Sequence, residues 1–138
     1  PSDRLIYIPQ EIPESGTAAV TRELALLGER EKGRVMTVVN LLGSDPKAIL
    51  ASARLSPGEL RKVMLAIGIA RVPWLIVLDE PTNHLDLPSI ECLTEALAAC
   101  ACGLLLASHD EVFLGDLATR RWEITTEQGG DSQLTVRA

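Results

Sequence analysis

Two short segments of the chain are almost continuously apolar and end beside polar residues. They are 74–79, which ends in an aspartate, and Gly103–Ala107, which is followed by Ser108 and His109. Strands that are buried on both faces of a parallel sheet show this pattern, so we expect two such strands here. A third strand-like segment, 4–8, stops at a proline. The pattern predicts an α/β fold with a parallel sheet at its core.

Helices are predicted between these strands. Apolar residues recur at helical spacing between about residues 14 and 56, which indicates a short helical subdomain. The next helix has a sharper start, because Ser56-Pro57-Gly58-Glu59 has the form of a capping box with proline at the first helical position. This helix should end before the proline at 73. Further helices are expected over about 88–101 and up to about 117.

The end of the chain predicts a β-hairpin. Strand-like segments 121–125 and 134–137 flank the turn-forming run 128–131. In the preceding part, helices alternate with buried strands, which implies right-handed parallel crossovers. Ligands of such sheets bind at the carboxyl ends of the strands. The candidate chemistry is therefore expected at residues 79–80 and 108–109.

Asp79 and Glu80 are adjacent carboxylates at the end of an apolar strand. Burying them without a cation is unfavourable, and Mg²⁺ bound by one carboxylate and substrate phosphates is a natural partner. The second carboxylate could then activate a water for attack on a phosphoryl group. His109 follows the next strand and could reach the same site, since neighbouring strands lie about 4.8 Å apart. The alternatives are a solvated strand end and a structural histidine.

The helix start at Ser56 is a candidate anion site. Free backbone N–H groups, a serine hydroxyl and the side-chain-free Gly58 suit a phosphate. Glu59 would place a carboxylate beside that anion unless it turns into the capping interaction. Taken alone, the segment is equally explained as an ordinary capping box.

Composition narrows the class of protein. The 138 residues include 19 acidic and 13 basic side chains, which argues against nucleic-acid binding through phosphate contacts by this segment alone. The longest apolar run, 96–107, is shorter than the roughly 20 residues that span a bilayer, so no membrane insertion is expected. No signal peptide is evident. The odd number of cysteines without a CxxC pair indicates reduced, structural thiols and a cytoplasmic protein.

Together, these segments resemble the ABC ATPase family over roughly residues 4 to 125. Residues 55–59 resemble its signature motif, and residues 75–79 resemble Walker B, with Glu80 in the position of the catalytic glutamate. Asp86 falls on the D-loop and His109 on the switch histidine. Gln10 resembles the Q-loop glutamine, which contacts Mg²⁺ and the attacking water. The resemblance implies a P-loop NTPase-like fold and the ligands ATP and Mg²⁺.

The run Asp79-Glu80-Pro81-Thr82-Asn83-His84-Leu85-Asp86 is typical of the ABC-F subfamily. Transporter ATPases usually carry other residues where Asn83 and His84 stand. ABC-F proteins carry two ATPase domains on one chain, and many act on the ribosome. The resemblance therefore implies that Asp79 and Gln10 hold Mg²⁺ and that Glu80 and His109 are catalytic. Ser56, Gly58, Glu59 and Asp86 would contact ATP, with the signature residues facing ATP on a second ATPase domain.

One family motif is missing from these 138 residues. Walker A needs a lysine preceded by glycine, and none of the three lysines has one: Lys32, Lys47 and Lys62. We therefore interpret residues 1–138 as a partial domain, from the Q-loop to the C-terminus, of the second ATPase domain. We expect it to bind ATP weakly and to self-associate through exposed strand edges and faces. The alternatives are an ATPase subunit of a transporter and a non-catalytic assembly module.

Overall fold

The structure is a computed structural model that describes residues 4–52, 54–126 and 132–137. Its strands are β1 (Leu5–Ile8), β2 (Leu75–Asp79), β3 (Gly103–Ala107), β4 (Arg121–Thr126) and β5 (Ser132–Arg137). Its helices are α1 (Glu14–Leu26), α2 (Glu29–Leu41), α3 (Pro46–Ala51), α4 (Pro57–Ala70), α5 (Leu87–Ala98) and α6 (Glu111–Leu117). The order of elements confirms the predicted α/β class.

A three-stranded parallel sheet, in the order β1-β2-β3, forms the centre of the fold. Ile6, Ile76 and Leu104 stand side by side in the register, as do Tyr7, Val77 and Leu105. All three strands therefore end at one edge, which is the condition for their following residues to share a site. This parallel core was predicted from the apolar runs.

Helix α4 begins where the sequence predicted. Ser56 caps it, Pro57 takes the first helical position, and the capping box with Glu59 is complete. The helix packs on β1 so closely that a Cβ on Gly68 would lie 2.2 Å from Cδ1 of Ile6. Glycine at this position thus lets helix and strand approach, and the approach aligns α4 with the sheet.

The predicted helical subdomain is present as α1, α2 and α3. Helix α2 packs against α4, and Val35 and Val39 on its inner face have no exposed surface. Burial of such side chains stabilises the fold by about 1.5 to 3 kcal/mol each. The subdomain is therefore joined to the sheet through α4, the helix that carries the signature-like sequence.

The apolar runs predicted strands buried on both faces, which was wrong, whereas the exposed strand faces expected of a partial domain are present. Burial alternates along β2, and no residue of β3 is fully buried. The described helices cover the face that carries Ile6 and Ile76, whereas Tyr7 is 55% exposed and Leu105 is 46% exposed. Apolar side chains therefore point to both faces, but the described elements cover only one of them.

The C-terminal strands β4 and β5 form the expected antiparallel hairpin, and the predicted turn residues fall in 127–131, outside the described residues. Its Trp122–Val136 and Ile124–Leu134 pairs place four exposed apolar side chains on one face.

Helix α5 ends at Ala98, earlier than predicted, because Cys102 N donates to Cys100 O in a tight turn before β3.

The three cysteines are free thiols and half-buried, and Cys100 and Cys102 pack against the core, as expected of structural cysteines. Burial, together with the neighbouring Cys100 thiol, raises the pKa of Cys102 to about 12. None of the helices in the described ranges is long and apolar enough to cross a membrane.

Candidate functional site

Glu80 and His109 meet at the carboxyl edge of the sheet. Glu80 N donates to Ala107 O at 2.8 Å, which places the residue beside the end of β3. Its Oε1 lies 3.4 Å from His109 Nε2. The Glu80 side chain is 15% exposed and that of His109 is 99% exposed. The structure thus pairs a nearly buried carboxylate with an imidazole that faces solvent, as the strand-end argument predicted.

The backbone is strained at this edge. Glu80 has φ 45° and His84 has φ 64°, in a region that residues with a Cβ seldom adopt. Such conformations cost about 1 to 3 kcal/mol each and tend to occur at functional sites. Glu80 follows β2 directly, so the strained backbone begins next to Asp79. The sequence pattern contained no sign of it.

Arg61 was not predicted as a site residue. It is 8% exposed, and it is the one charged residue buried in the described parts of the chain. Its Nη1 donates to Glu80 O at 2.8 Å, and its Nη2 donates to Gln10 O and, at 3.4 Å, to Pro9 O. Burial lowers the pKa of Arg61, and the nearby Asp79 carboxylate acts in the opposite direction. The sequence signal that could have identified this residue was a charged side chain within the apolar pattern of α4.

The signature-like segment is held by local hydrogen bonds. Ser56 N and Oγ donate to Glu59 Oε2 at 2.8 and 2.7 Å, and Glu59 N donates back to Ser56 Oγ at 3.3 Å. The Ser56 hydroxyl and backbone bonds lower the pKa of Glu59. A Cβ on Gly58 would lie 3.7 Å from His84 O. Glu59 thus turns into the capping interaction, and Gly58 packs on the segment that follows Glu80.

Asp86 caps α5 in this structure. Its carboxylate accepts from Ser89 N at 3.2 Å, and Lys62 Nζ donates to Ser89 Oγ at 2.8 Å. The hydrogen bonds from Ser89 lower the pKa of Asp86. This capping role accounts for an aspartate at this position, while a contact between Asp86 and a nucleotide stays a prediction.

The chain is similar in sequence to known ATP-binding proteins. No family model matched the chain. The ATP-binding protein Uup of Caulobacter vibrioides is 36% identical over 120 residues, which cover 87% of this chain and 19% of that protein. The zinc import ATP-binding protein ZnuC of Brucella suis is 33% identical over 116 residues, covering 80% of this chain and 39% of ZnuC.

The chain belongs to the ABC-type ATPases. Its similarity to Uup and to the probable ATP-binding protein YbiT of Escherichia coli O157:H7, 43% identical over 54% of this chain, places it with the ABC-F subfamily. The chain spans about a fifth of the length of Uup and 14% of that of YbiT. It therefore matches only a small part of each of these relatives.

Solved structures show the same fold. An ATP-binding subunit of an ABC transporter superposes with a TM-score of 0.65 at 26% identity, covering 86% of this chain and 53% of that one. The ATP-binding cassette MJ0796, solved as a dimer bound to ADP and Pi, gives a TM-score of 0.67 at 20% identity. The superposition covers 86% of this chain and 57% of MJ0796. The ABC-type ATPase fold is thus confirmed for most of this chain.

The donor atoms at the sheet edge of this ABC-type ATPase suit Mg²⁺. Asp79 offers a carboxylate and Gln10 an amide oxygen, and hard oxygen ligands of this kind are the ones Mg²⁺ prefers. In the described residues, no group of three histidine, cysteine, aspartate or glutamate residues could hold a metal ion by itself. A few protein ligands fit Mg²⁺, because water and substrate phosphates complete its shell.

A broad cleft of about 930 Å³ lies between α1 and the start of α4. Gln10, Gly58 and His84 line it, together with Arg22 and Arg54. Asp79 and Glu80 do not line the cleft, so it adjoins the sheet edge without containing the candidate catalytic carboxylate. The structure therefore gives Gln10 and the signature-like segment a common surface, separate from the Glu80–His109 pair.

Proposed function

We propose that this chain supplies the Q-loop, signature, Walker B, D-loop and switch histidine to ATP hydrolysis by a larger ABC-F ATPase. The observation that carries the proposal is the contact of 3.4 Å between Glu80 Oε1 and His109 Nε2 at the carboxyl edge of the sheet. Strain at Glu80 supports it, because a glutamate held at φ 45° against its preference suggests selection for position rather than for stability.

Each residue of the edge has a role in this proposal. Asp79 and Gln10 would hold Mg²⁺, which neutralises phosphate charge when it is bound. Glu80 orients a water and accepts its proton, and its low exposure favours a fixed carboxylate. His109 lies against that carboxylate with its ring open to solvent, where it can donate a hydrogen bond to a phosphate oxygen.

The signature end of α4 serves a different nucleotide in this proposal. Ser56 and Gly58 would contact ATP that is held by a second ATPase domain, on the same or another chain. Glu59 supports this segment by closing the capping box, and Asp86 supports the neighbouring loop by capping α5. Because these 138 residues contain no Walker A lysine, the chain by itself should hold ATP weakly.

The wider setting follows from the subfamily. We propose that the complete protein works in the cytoplasm and acts on the ribosome, as many ABC-F proteins do. The support is the Asn83-His84 pair and the similarity to Uup and YbiT. The acidic balance of this segment offers no separate evidence for contact with RNA.

The test is MgATP hydrolysis by the complete gene product with Glu80→Gln, which keeps the size of the side chain and removes its negative charge. We expect the rate to fall by about 100-fold or more, since a general base is lost. This chain alone, assayed alongside, should be inactive. Glu111→Gln is a suitable control, because Glu111 is an exposed glutamate in the first turn of α6. An unchanged rate in Glu80→Gln would favour a non-catalytic assembly role.

A second candidate is the ATPase subunit of a transporter. The similarity to ZnuC over 80% of this chain favours it, whereas the Asn83-His84 pair favours ABC-F. A membrane protein that copurifies with the complete gene product and stimulates its hydrolysis would decide for the transporter. Copurification with ribosomes in the presence of ATP would decide against it.

A further inference from the structure

Arg61 stands at a junction of three segments that the proposed function treats as separate parts. It lies on the second turn of α4, two positions after the signature-like residues 55–59, and it reaches the carbonyl groups of Pro9 and Gln10 as well as that of Glu80. These partners follow β1 and β2, the two adjacent strands. One side chain thus connects the signature helix to both loops at the sheet edge.

The bonding pattern depends on the shape of the guanidinium group. Nη1 bonds to the carbonyl of Glu80, whereas Nη2 bonds to those of Gln10 and Pro9. A planar fork with separate nitrogens can hold two loops at a fixed spacing, which the single nitrogen of lysine cannot do. The geometry therefore specifies arginine rather than a positive charge alone.

The burial of Arg61 also needs an explanation. A charge that is 8% exposed is unfavourable unless it is well bonded, and no carboxylate in the described residues forms an ion pair with it within 4.0 Å. Its hydrogen bonds are to backbone carbonyls. Buried polar groups of this kind can specify one arrangement of the chain even where they add little stability.

The hydrogen bonds of Arg61 help to fix the backbone of Glu80. Its backbone is strained at φ 45°, and such strain persists only where the surroundings determine the conformation. Its N–H bonds to Ala107 O, and its carbonyl accepts from Arg61. Both backbone groups of the residue are therefore held, one by β3 and one by α4.

We propose that Arg61 is a positioning residue that sets the Gln10 turn and the Glu80 backbone relative to the signature helix. This inference rests on the proposed function, because it assigns no chemistry of its own to Arg61. A displacement of α4 is transmitted through the guanidinium to both loops. The signature segment and the Glu80–His109 pair are thereby coupled within one chain.

The experiment measures steady-state MgATP hydrolysis by the complete gene product, with Arg61→Lys and Arg61→Gln. Both variants should lower kcat by about 10- to 100-fold, because small displacements of a reacting group have effects of this size. KM for ATP should change by less than about threefold, since substrate binding is left in place. Amide exchange near Gln10 and Glu80 should become faster in both variants.

Arg71→Lys is the matched control. Arg71 caps the other end of α4 and pairs with Glu23 at 2.7 Å, and the O of its neighbour Val72 accepts from Arg4 just before β1, at the opposite end of the strands. Its kcat and the exchange near Gln10 should equal those of the wild type. Circular dichroism and thermal unfolding of each variant show whether the fold is intact at the assay temperature.

The outcomes separate the two proposals. A wild type that does not hydrolyse ATP, or a Glu80→Gln variant at full rate, would refute the proposed function. If these behave as expected, wild-type kcat in Arg61→Lys would overturn the inference, because charge alone would then suffice. Failure of both Arg61 variants to fold would also overturn it, since Arg61 would then hold the whole domain rather than two loops.

Discussion

The two faces of the parallel sheet are built from the same strands and have different surroundings. On one face, Ile8, Ile76 and Leu78 are at most 2% exposed beneath the helices. On the other face, Leu5 and Tyr7 are more than half exposed. Alternate residues of a strand point to opposite faces, so adjacent positions sample both environments. The comparison shows that apolar composition along a strand does not report which face the described elements cover.

The largest expected difference between the faces comes from neighbouring residues of β2. Ile76 has no exposed surface, whereas Val77 is half-buried on the open face. We expect Ile76→Ala to lower the free energy of unfolding by about 3 kcal/mol, through lost burial and a cavity. Val77→Ala should lower it by about 1 kcal/mol or less. Urea unfolding of the chain measures both, and equal losses would contradict the assignment of the faces.

A smaller effect is expected where α4 meets the covered face. A Cβ on Gly68 would lie 2.2 Å from Cδ1 and 2.6 Å from Cγ1 of Ile6. We expect Gly68→Ala to destabilise the chain by about 2 kcal/mol through overpacking. Adding Ile6→Ala should make the Gly68→Ala step less unfavourable than it is in the wild type, because the clashing atoms are gone.

Gly33 provides the control for that substitution. It lies inside α2, and a Cβ there would meet nothing within 4 Å. Gly33→Ala should therefore raise stability by about 0.5 to 1 kcal/mol, as expected for a helix interior. Thermal unfolding of the single and double variants gives the comparison. Destabilisation by Gly33→Ala would show that helix propensity is not the deciding term in α2.

The smallest change in stability is expected on the open face. The double variant Tyr7→Lys and Leu105→Lys replaces two exposed apolar side chains that lie in the same register of the sheet, on either side of Val77. We expect the free energy of unfolding of the monomer to change by less than about 1 kcal/mol. Self-association should weaken strongly, because exposed apolar patches favour contact with another surface.

Light scattering over a range of concentrations tests the association. The wild-type chain should form a dimer or larger assembly, and the double variant should be mostly monomeric. A wild-type chain that is monomeric at all concentrations would refute the prediction that the open face drives association. A matched substitution on the hairpin, Trp122→Lys, would show whether its exposed apolar face contributes as well.

Features that depend on neighbouring residues in the chain were predictable from the sequence. The start of α4 is the clearest case, because the serine, proline and glutamate that define it lie within four positions. The meeting of Glu80 and His109 was also predictable, since two parallel strands end at the same edge. These inferences needed only local chemistry and the alternation of strands and helices.

Features that depend on distant segments were not predictable. The apolar run of β3 predicted burial on both faces, and the exposed faces expected of a partial domain did not indicate which face would be open. The role of Arg61 was missed because its partners lie 19, 51 and 52 positions away. The positive φ of Glu80 was likewise not predictable, because a glutamate at this position does not indicate a left-handed backbone conformation. Each of these follows from tertiary contacts that propensity and spacing do not encode.

The separation of Arg61 from its partners has a consequence for folding kinetics. We expect the carbonyl groups of Pro9 and Gln10 to reach the guanidinium when β1 pairs with β2, across a connection that contains four helices. Closing such a long loop is slow relative to forming a local helix. The helices can therefore form early, while the carboxyl edge assembles late. A partly folded chain would contain its signature helix before it contained an organised Glu80 loop.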